Sequence, residues 1–239
     1  MNIGHFTTNS STQARARELN PEDAGLRAYM QRIYAYMTAG LAITGSVAWL
    51  LPNTAIGMGI INSPLSFIAM IAPIGLVLIL ASRIHKMQAR TAQTMFWILA
   101  ACYGIFFANI FLQYTGESIF RVFFVSSSTF LGASLYGYVT KRSLARLGSF
   151  LFMGLIGIIM ATVVNIFLGS TQMQFIICIL GVLIFTGLTA YDTQTLKEMY
   201  VAGESGETQV KKGVMGALKL YLDFINLFIM LLMLLGNRR

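Results

Sequence analysis

The chain has 239 residues, of which 56% are hydrophobic and only 11% charged, and it carries a formal net charge of +8. Soluble globular domains hold roughly 25% charged residues, so this composition, drawn out in long apolar runs, excludes an ordinary water-soluble fold and points to the bilayer as solvent. The excess of Lys and Arg does not mark a nucleic-acid binder, because the basic residues sit in short clusters between apolar runs, as positive-inside loops do.

Residues 1–25 are polar, rich in Ser, Thr and Asn, and contain no apolar h-region. They are expected to form a disordered cytoplasmic tail rather than a signal peptide or a span, with 26–239 as one transmembrane domain. A helix crossing the hydrocarbon needs about 20 apolar residues. On that basis seven spans are predicted, at about 33–51, 65–82, 94–114, 119–139, 150–168, 175–196 and 218–235. The expected fold class is therefore an all-α integral membrane bundle. Six spans plus a re-entrant last segment is the alternative.

The charges orient the bundle. Arg15, Arg17, Arg27 and Arg32 precede the first span; Arg83, Lys86 and Arg90 follow the second. Lys141, Arg142 and Arg146 follow the fourth, and Lys197, Lys211 and Lys212 follow the sixth. The opposite connections hold only Arg121. The N-terminus is thus expected in the cytoplasm, and a C-terminus ending in Arg238 and Arg239 would lie outside. Helix contacts are expected at small residues, since lipid gives apolar helices no reason to associate: Gly40, Gly45, Ser128, Gly132, Gly154, Gly157 and Gly181. Cys102 and Cys178 read as packing residues. His5 and His85 fall outside the spans, which excludes a His-rich metal site in the membrane.

Asp192 and Asp223 are the only acidic residues inside the apolar spans. Each costs roughly 2.5–3.5 kcal/mol near a helix centre on insertion scales, so an intramembrane acid is a functional candidate. The plain alternative is a satisfied structural group near the membrane edge. Asp192 precedes Lys197 by five residues and Asp223 follows Lys219 by four, which puts both about 6–8 Å inside the cytoplasmic edge at ~1.5 Å per residue. On consecutive antiparallel helices, acids at one depth can face each other. Such a pair can share a proton, pair with a protein cation, or hold a hard ion such as Ca²⁺, which prefers oxygen ligands. Arg83, at the cytoplasmic end of the second span, is the candidate cation; the alternative for it is an ordinary positive-inside anchor. Asn226, three residues after Asp223, could orient that carboxylate. Asn109 and Asn165 read as helix–helix glue.

Gly187-Leu-Thr-Ala-Tyr-Asp192-Thr-Gln194 and Leu220-Tyr-Leu-Asp223-Phe-Ile-Asn226-Leu-Phe228 resemble the two signature segments of the Bax inhibitor-1, or transmembrane Bax-inhibitor-motif, family. Ser82-Arg-Ile-His-Lys86, Tyr114-Thr-Gly-Glu117 and Ser134-Leu-Tyr-Gly-Tyr-Val-Thr-Lys-Arg142 resemble its proteobacterial branch, so a bacterial inner membrane is implied. The likeness runs from about Tyr29 to the C-terminus. It implies a bundle whose last helix is central and surrounded by the other six. It also implies a pH-sensitive Ca²⁺ leak in which Asp192 and Asp223 titrate together and bind the ion, while linkage to Arg83 helps hold the pore closed. Ca²⁺ and protons would then be transported or transient partners, with no permanently bound cofactor. Some bacterial relatives carry an acid in the second span, whereas 65–82 has none here.

The competing class is a non-conducting regulatory protein that binds a membrane-anchored ATP-dependent protease or a cell-death factor, with the tail as the contact. Enzymes fare worse. An intramembrane serine protease needs a His in a span, and a retinal protein needs a mid-membrane Lys, whereas Lys219 lies at the start of its span.

Overall fold

The computed structural model describes residues 21–239. The helices are α1 (Pro21–Leu50), α2 (Ala55–Ile61), α3 (Leu65–Arg83), α4 (Ala89–Gln113), α5 (Gly116–Val139), α6 (Ala145–Leu168), α7 (Thr171–Glu198) and α8 (Gly206–Leu235). Among the described residues the only β pairing is an isolated bridge between Tyr114 and Arg238. The protein is all-helical.

Sequence chemistry sets the helix ends. Thr115, Ser170 and Ser205 each accept a hydrogen bond from a backbone N–H three residues on, at Ser118, Met173 and Thr208, which satisfies a donor that the helix itself cannot. Helix α6 stops at Gly169, whose φ of 60° is left-handed, and Asn165 Oδ1 accepts from Ser170 N. Asn165 is therefore glue at the α6–α7 turn, as expected.

Six helices among the described residues, α1 and α4 to α8, are long and apolar enough to cross a membrane. α3 is a 19-residue helix with Pro73 in its interior. The predicted spans match their helices within a few residues except at three places. α1 already includes residues 21–25, so this part of the expected tail is helical. The rest of that tail, 1–20, with Arg15, Arg17 and His5, lies outside the described residues. α8 starts at Gly206, not near 218, because its first three turns are amphipathic and a hydropathy reading finds only the apolar part. α2 is too short to register as a span.

Large apolar side chains face outward along the bundle, for example Ile56, Phe120, Phe150, Ile166 and Phe167. An apolar surface of that extent fits lipid and not water. Helix α8 is the innermost of the six, with 56% of its apolar window buried against 17% for α6. It packs against α1, α4, α5 and α7. Tyr221 on α8 is fully buried and touches Phe96 and Tyr103 edge-on. Its hydroxyl lies 2.7 Å from Thr44 Oγ1, which donates to the Ala100 carbonyl at 2.8 Å; the network joins α8, α1 and α4.

The basic connections gather at one end. Tyr29 packs on Tyr200, Lys197 donates to the Tyr138 carbonyl, and Gln194 reaches the α5–α6 loop. The chain end is fastened at the opposite pole: Thr115 N donates to Asn237 O, Arg239 N to Gln113 O, and Asn237 N to Ser118 Oγ. α8 is therefore one unbroken helix that runs the length of the bundle, about 45 Å for 30 residues.

Close helix approach uses only some of the expected small residues. Gly40, Gly154 and Gly181 face neighbouring side chains, whereas Gly45, Gly132 and Gly157 face open space. The tightest crossing between spans is at Gly137 on α5, where a Cβ would lie 2.1 Å from the Ala190 carbonyl oxygen of α7. Backbone cannot step aside as a side-chain tip can. Gly137→Ala is expected to destabilise the protein by about 1–3 kcal/mol, read as a lower melting temperature in detergent, and Gly132→Ala should leave it unchanged.

Candidate cation site

α7 and α8 are antiparallel neighbours. Their facing sides carry Asp192 and Asp223, both buried and near enough to feel each other's charge. Both line one cavity of about 600 Å³, whose walls also come from Leu78 on α3, Tyr103 on α4 and Thr162 on α6. The depth match inferred from residue spacing is therefore a shared site in space.

The two carboxylates are held differently. Asp192 Oδ1 lies 3.5 Å from the ammonium of Lys219. Among the described residues Asp223 accepts no hydrogen bond, and its Oδ2 is buried without a partner. A bare carboxylate oxygen in a low-dielectric interior is costly unless a cation or a proton meets it. The site is thus short of positive charge.

Lys219 stands where Arg83 was expected. Arg83 ends α3, is exposed, and forms no ion pair among the described residues. It is five residues, about 7–8 Å, beyond Leu78 along the α3 axis, and so lies past the cavity wall. Lys219 is one helical turn before Asp223, a spacing that puts both on one face. That spacing was legible, but Lys219 served there only as a marker of depth. Asn226 lines the cavity, yet its Nδ2 donates to the Leu222 carbonyl at 2.8 Å rather than to Asp223. A polar side chain in an apolar helix satisfies itself most cheaply on the preceding turn.

The neighbours of Asp192 have structural duties that the sequence did not announce. Thr193 Oγ1 is 3.1 Å from Ser134 Oγ, which also pairs with Tyr34 Oη. Gln194 Oε1 accepts from Leu144 N at 2.8 Å and its Nε2 donates to Arg142 O at 2.9 Å. These contacts lock α7 to α5 and to the α5–α6 loop, and so fix the height and rotation of Asp192.

For a hard cation the strongest donors on the cavity wall are the two carboxylates and the Asn226 amide oxygen. Fully bidentate carboxylates would give about five oxygens, against the 6–8 that Ca²⁺ takes; no cluster of three or more His, Cys, Asp or Glu occurs among the described residues. Water would have to complete the shell.

A helical membrane bundle with paired acids on its last two helices is the class of protein that the fold and site define. The sequence profile described as "Inhibitor of apoptosis-promoting Bax1" matches residues 26–239, and the chain belongs to the Bax inhibitor-1 family. It is 43% identical over 220 residues to the "Inner membrane protein YbhL" of Escherichia coli (strain K12), covering 90% of this chain and 94% of that protein. An uncharacterized protein of Rickettsia prowazekii is 43% identical over 222 residues, covering 91% and 92% of the two chains. One from Caulobacter vibrioides is 39% identical over 229 residues, covering 91% of each.

Gln194→Leu removes both bonds to the α5–α6 loop and leaves a buried N–H unpaired. At about 1 kcal/mol per bond, the variant should lose about 2 kcal/mol of stability and show faster amide exchange at Leu144. Unchanged exchange there would refute the anchoring role.

Proposed function

We propose that this protein is a pH-sensitive cation leak of the bacterial inner membrane, without enzymatic activity, whose cargo is Ca²⁺ and whose gate is the site around Asp192 and Asp223. The observation that carries this reading is the unpartnered, buried Asp223 oxygen beside an acid already paired to Lys219. Support for the membrane comes from the apolar helices and from the likeness to the inner membrane protein of Escherichia coli. In this reading α3 is the seventh span, α8 is the axis of the bundle, and the basic connections with the N-terminus face the cytoplasm.

The electrostatics give the gate its logic. Cavity-lining segments of α3 and α6 bring no titratable group, α4 brings Tyr103, α7 brings Asp192, and α8 brings Lys219 and Asp223. One ammonium therefore serves two acids. With both acids ionised the site has a net charge of −1 and attracts a divalent cation, which must displace Lys219 from Asp192 to engage both. Protonation removes that attraction. Ca²⁺ and protons compete for one site, and Lys219 is the protein's own competitor in place of the arginine latch.

Flux of Ca²⁺ into liposomes containing only this protein, followed across a pH series, tests the reading. Asp223→Asn and Asp192→Asn should each flatten the pH dependence, and wild-type flux no greater than that of empty liposomes at every pH would end it. Lys219→Gln should increase flux at neutral pH by removing the competitor. Lys219→Arg should not, and flux that ignores both changes would remove Lys219 from the gate.

A further inference from the structure

α1 and α5 both pack on α8 and leave a cleft between them that opens to the side of the bundle. It encloses about 660 Å³, within the size range of small-molecule sites. Its walls run from Arg27 and Tyr138 at the end where the basic connections gather to Leu41 and Phe123, with Phe224 of α8 as the floor. A second cavity of about 410 Å³ shares Leu41, Phe123 and Phe224 and continues toward Trp49. The two form one lateral groove.

Its length matches one leaflet. Arg27 and Leu41 are 14 residues apart, about 21 Å along α1, whereas half of the hydrocarbon core is about 15 Å. The first cavity therefore spans the headgroup layer and one acyl layer. The wall is mostly apolar, and the hydroxyls of Tyr34 and Ser134 that line it are bonded to each other. They make little demand on water.

The mouth is cationic. Arg27 lines it, is exposed and has no ion pair among the described residues. Behind it the Lys197 ammonium sits 5.1 Å from the centroid of the Tyr138 ring and donates to the Tyr138 carbonyl, and it forms no ion pair among the described residues. Among the described residues no acidic side chain lines the cleft. An apolar slot one leaflet deep, headed by an exposed arginine that has no ion pair among the described residues, fits a lipid whose headgroup carries net negative charge.

We infer that the α1–α5 cleft is a binding site for an anionic phospholipid of the leaflet at the basic end, with one acyl chain between α1 and α5 and the phosphate at Arg27. The site is separate from the acidic cavity, which opens between α3 and α6. A zwitterionic lipid would gain the slot but not the charge, and a second copy of this chain would bring its own Arg27 against this one.

Reconstitution into nanodiscs of equal phosphatidylglycerol and phosphatidylcholine, then mild extraction and mass spectrometry of the retained lipid, tests the site. Wild type should retain phosphatidylglycerol about fivefold over phosphatidylcholine, the effect of roughly one surface cation on an anionic lipid. Arg27→Gln should bring that ratio near one, and Arg27→Lys should keep it. Thr38→Trp, which fills the cleft from an exposed position on α1, should lose both lipids; Ser127→Trp does the same from α5 if Thr38→Trp fails to fold. Equal retention of the two lipids by wild type, or the same enrichment in the Gln and Trp variants, would overturn the assignment. So would a wild-type dimer that the Trp variant dissociates while lipid retention is unchanged.

Discussion

The candidate site turns on a buried carboxylate oxygen that meets no hydrogen-bond donor among the described residues. Asp223 sits on α8, the most buried of the six apolar helices, and its Oδ2 finds no donor among the described residues. Proteins rarely leave such a group bare, because its desolvation is not recovered elsewhere. Here the one cation that lines the cavity among the described residues, Lys219, is turned to Asp192 at 3.5 Å. Among the described residues the site therefore holds two acids and one ammonium.

The surrounding bundle holds that arrangement in place. Tyr221, half a turn before Asp223, is pinned through Thr44 to the α4 backbone, and the last residues are bonded to the α4–α5 connection. Asp192 is set by its own neighbours: Thr193 bonds α5, and Gln194 bonds the loop that follows it. The two helices bearing the acids are thus fixed along their length. The other walls of the cavity come from α3 and α6, which pack chiefly on α4 and α7. A change in the cavity's width is cheapest there, where no hydrogen bond crosses to the acids.

Hydropathy and charge made the architecture legible, since lipid forces each crossing into a long apolar helix and confines Lys and Arg to the ends. Depth counting then paired Asp192 with Asp223 correctly, because rise per residue is the same in every helix. Rotation about the helix axis was harder to read. Arg83 lies at an exposed helix end, past the cavity wall, and Lys219 has the right face through its spacing from Asp223. Asn226 has the right face too and spends its amide on its own backbone. Gly137 escaped notice because a glycine's partner is an atom on another helix, and nothing in the local sequence names Ala190.

The central claim is that both acids take a divalent cation together, in competition with Lys219. It is tested most directly by the shift in melting temperature that Ca²⁺ produces in purified protein, since a ligand that binds only the folded state stabilises it by mass action. Wild type should melt higher as Ca²⁺ is added, Lys219→Gln should show a larger shift at the same concentration, and Asp192→Asn/Asp223→Asn should show none. A shift that survives the loss of both acids, or none in wild type or Lys219→Gln, would contradict the account.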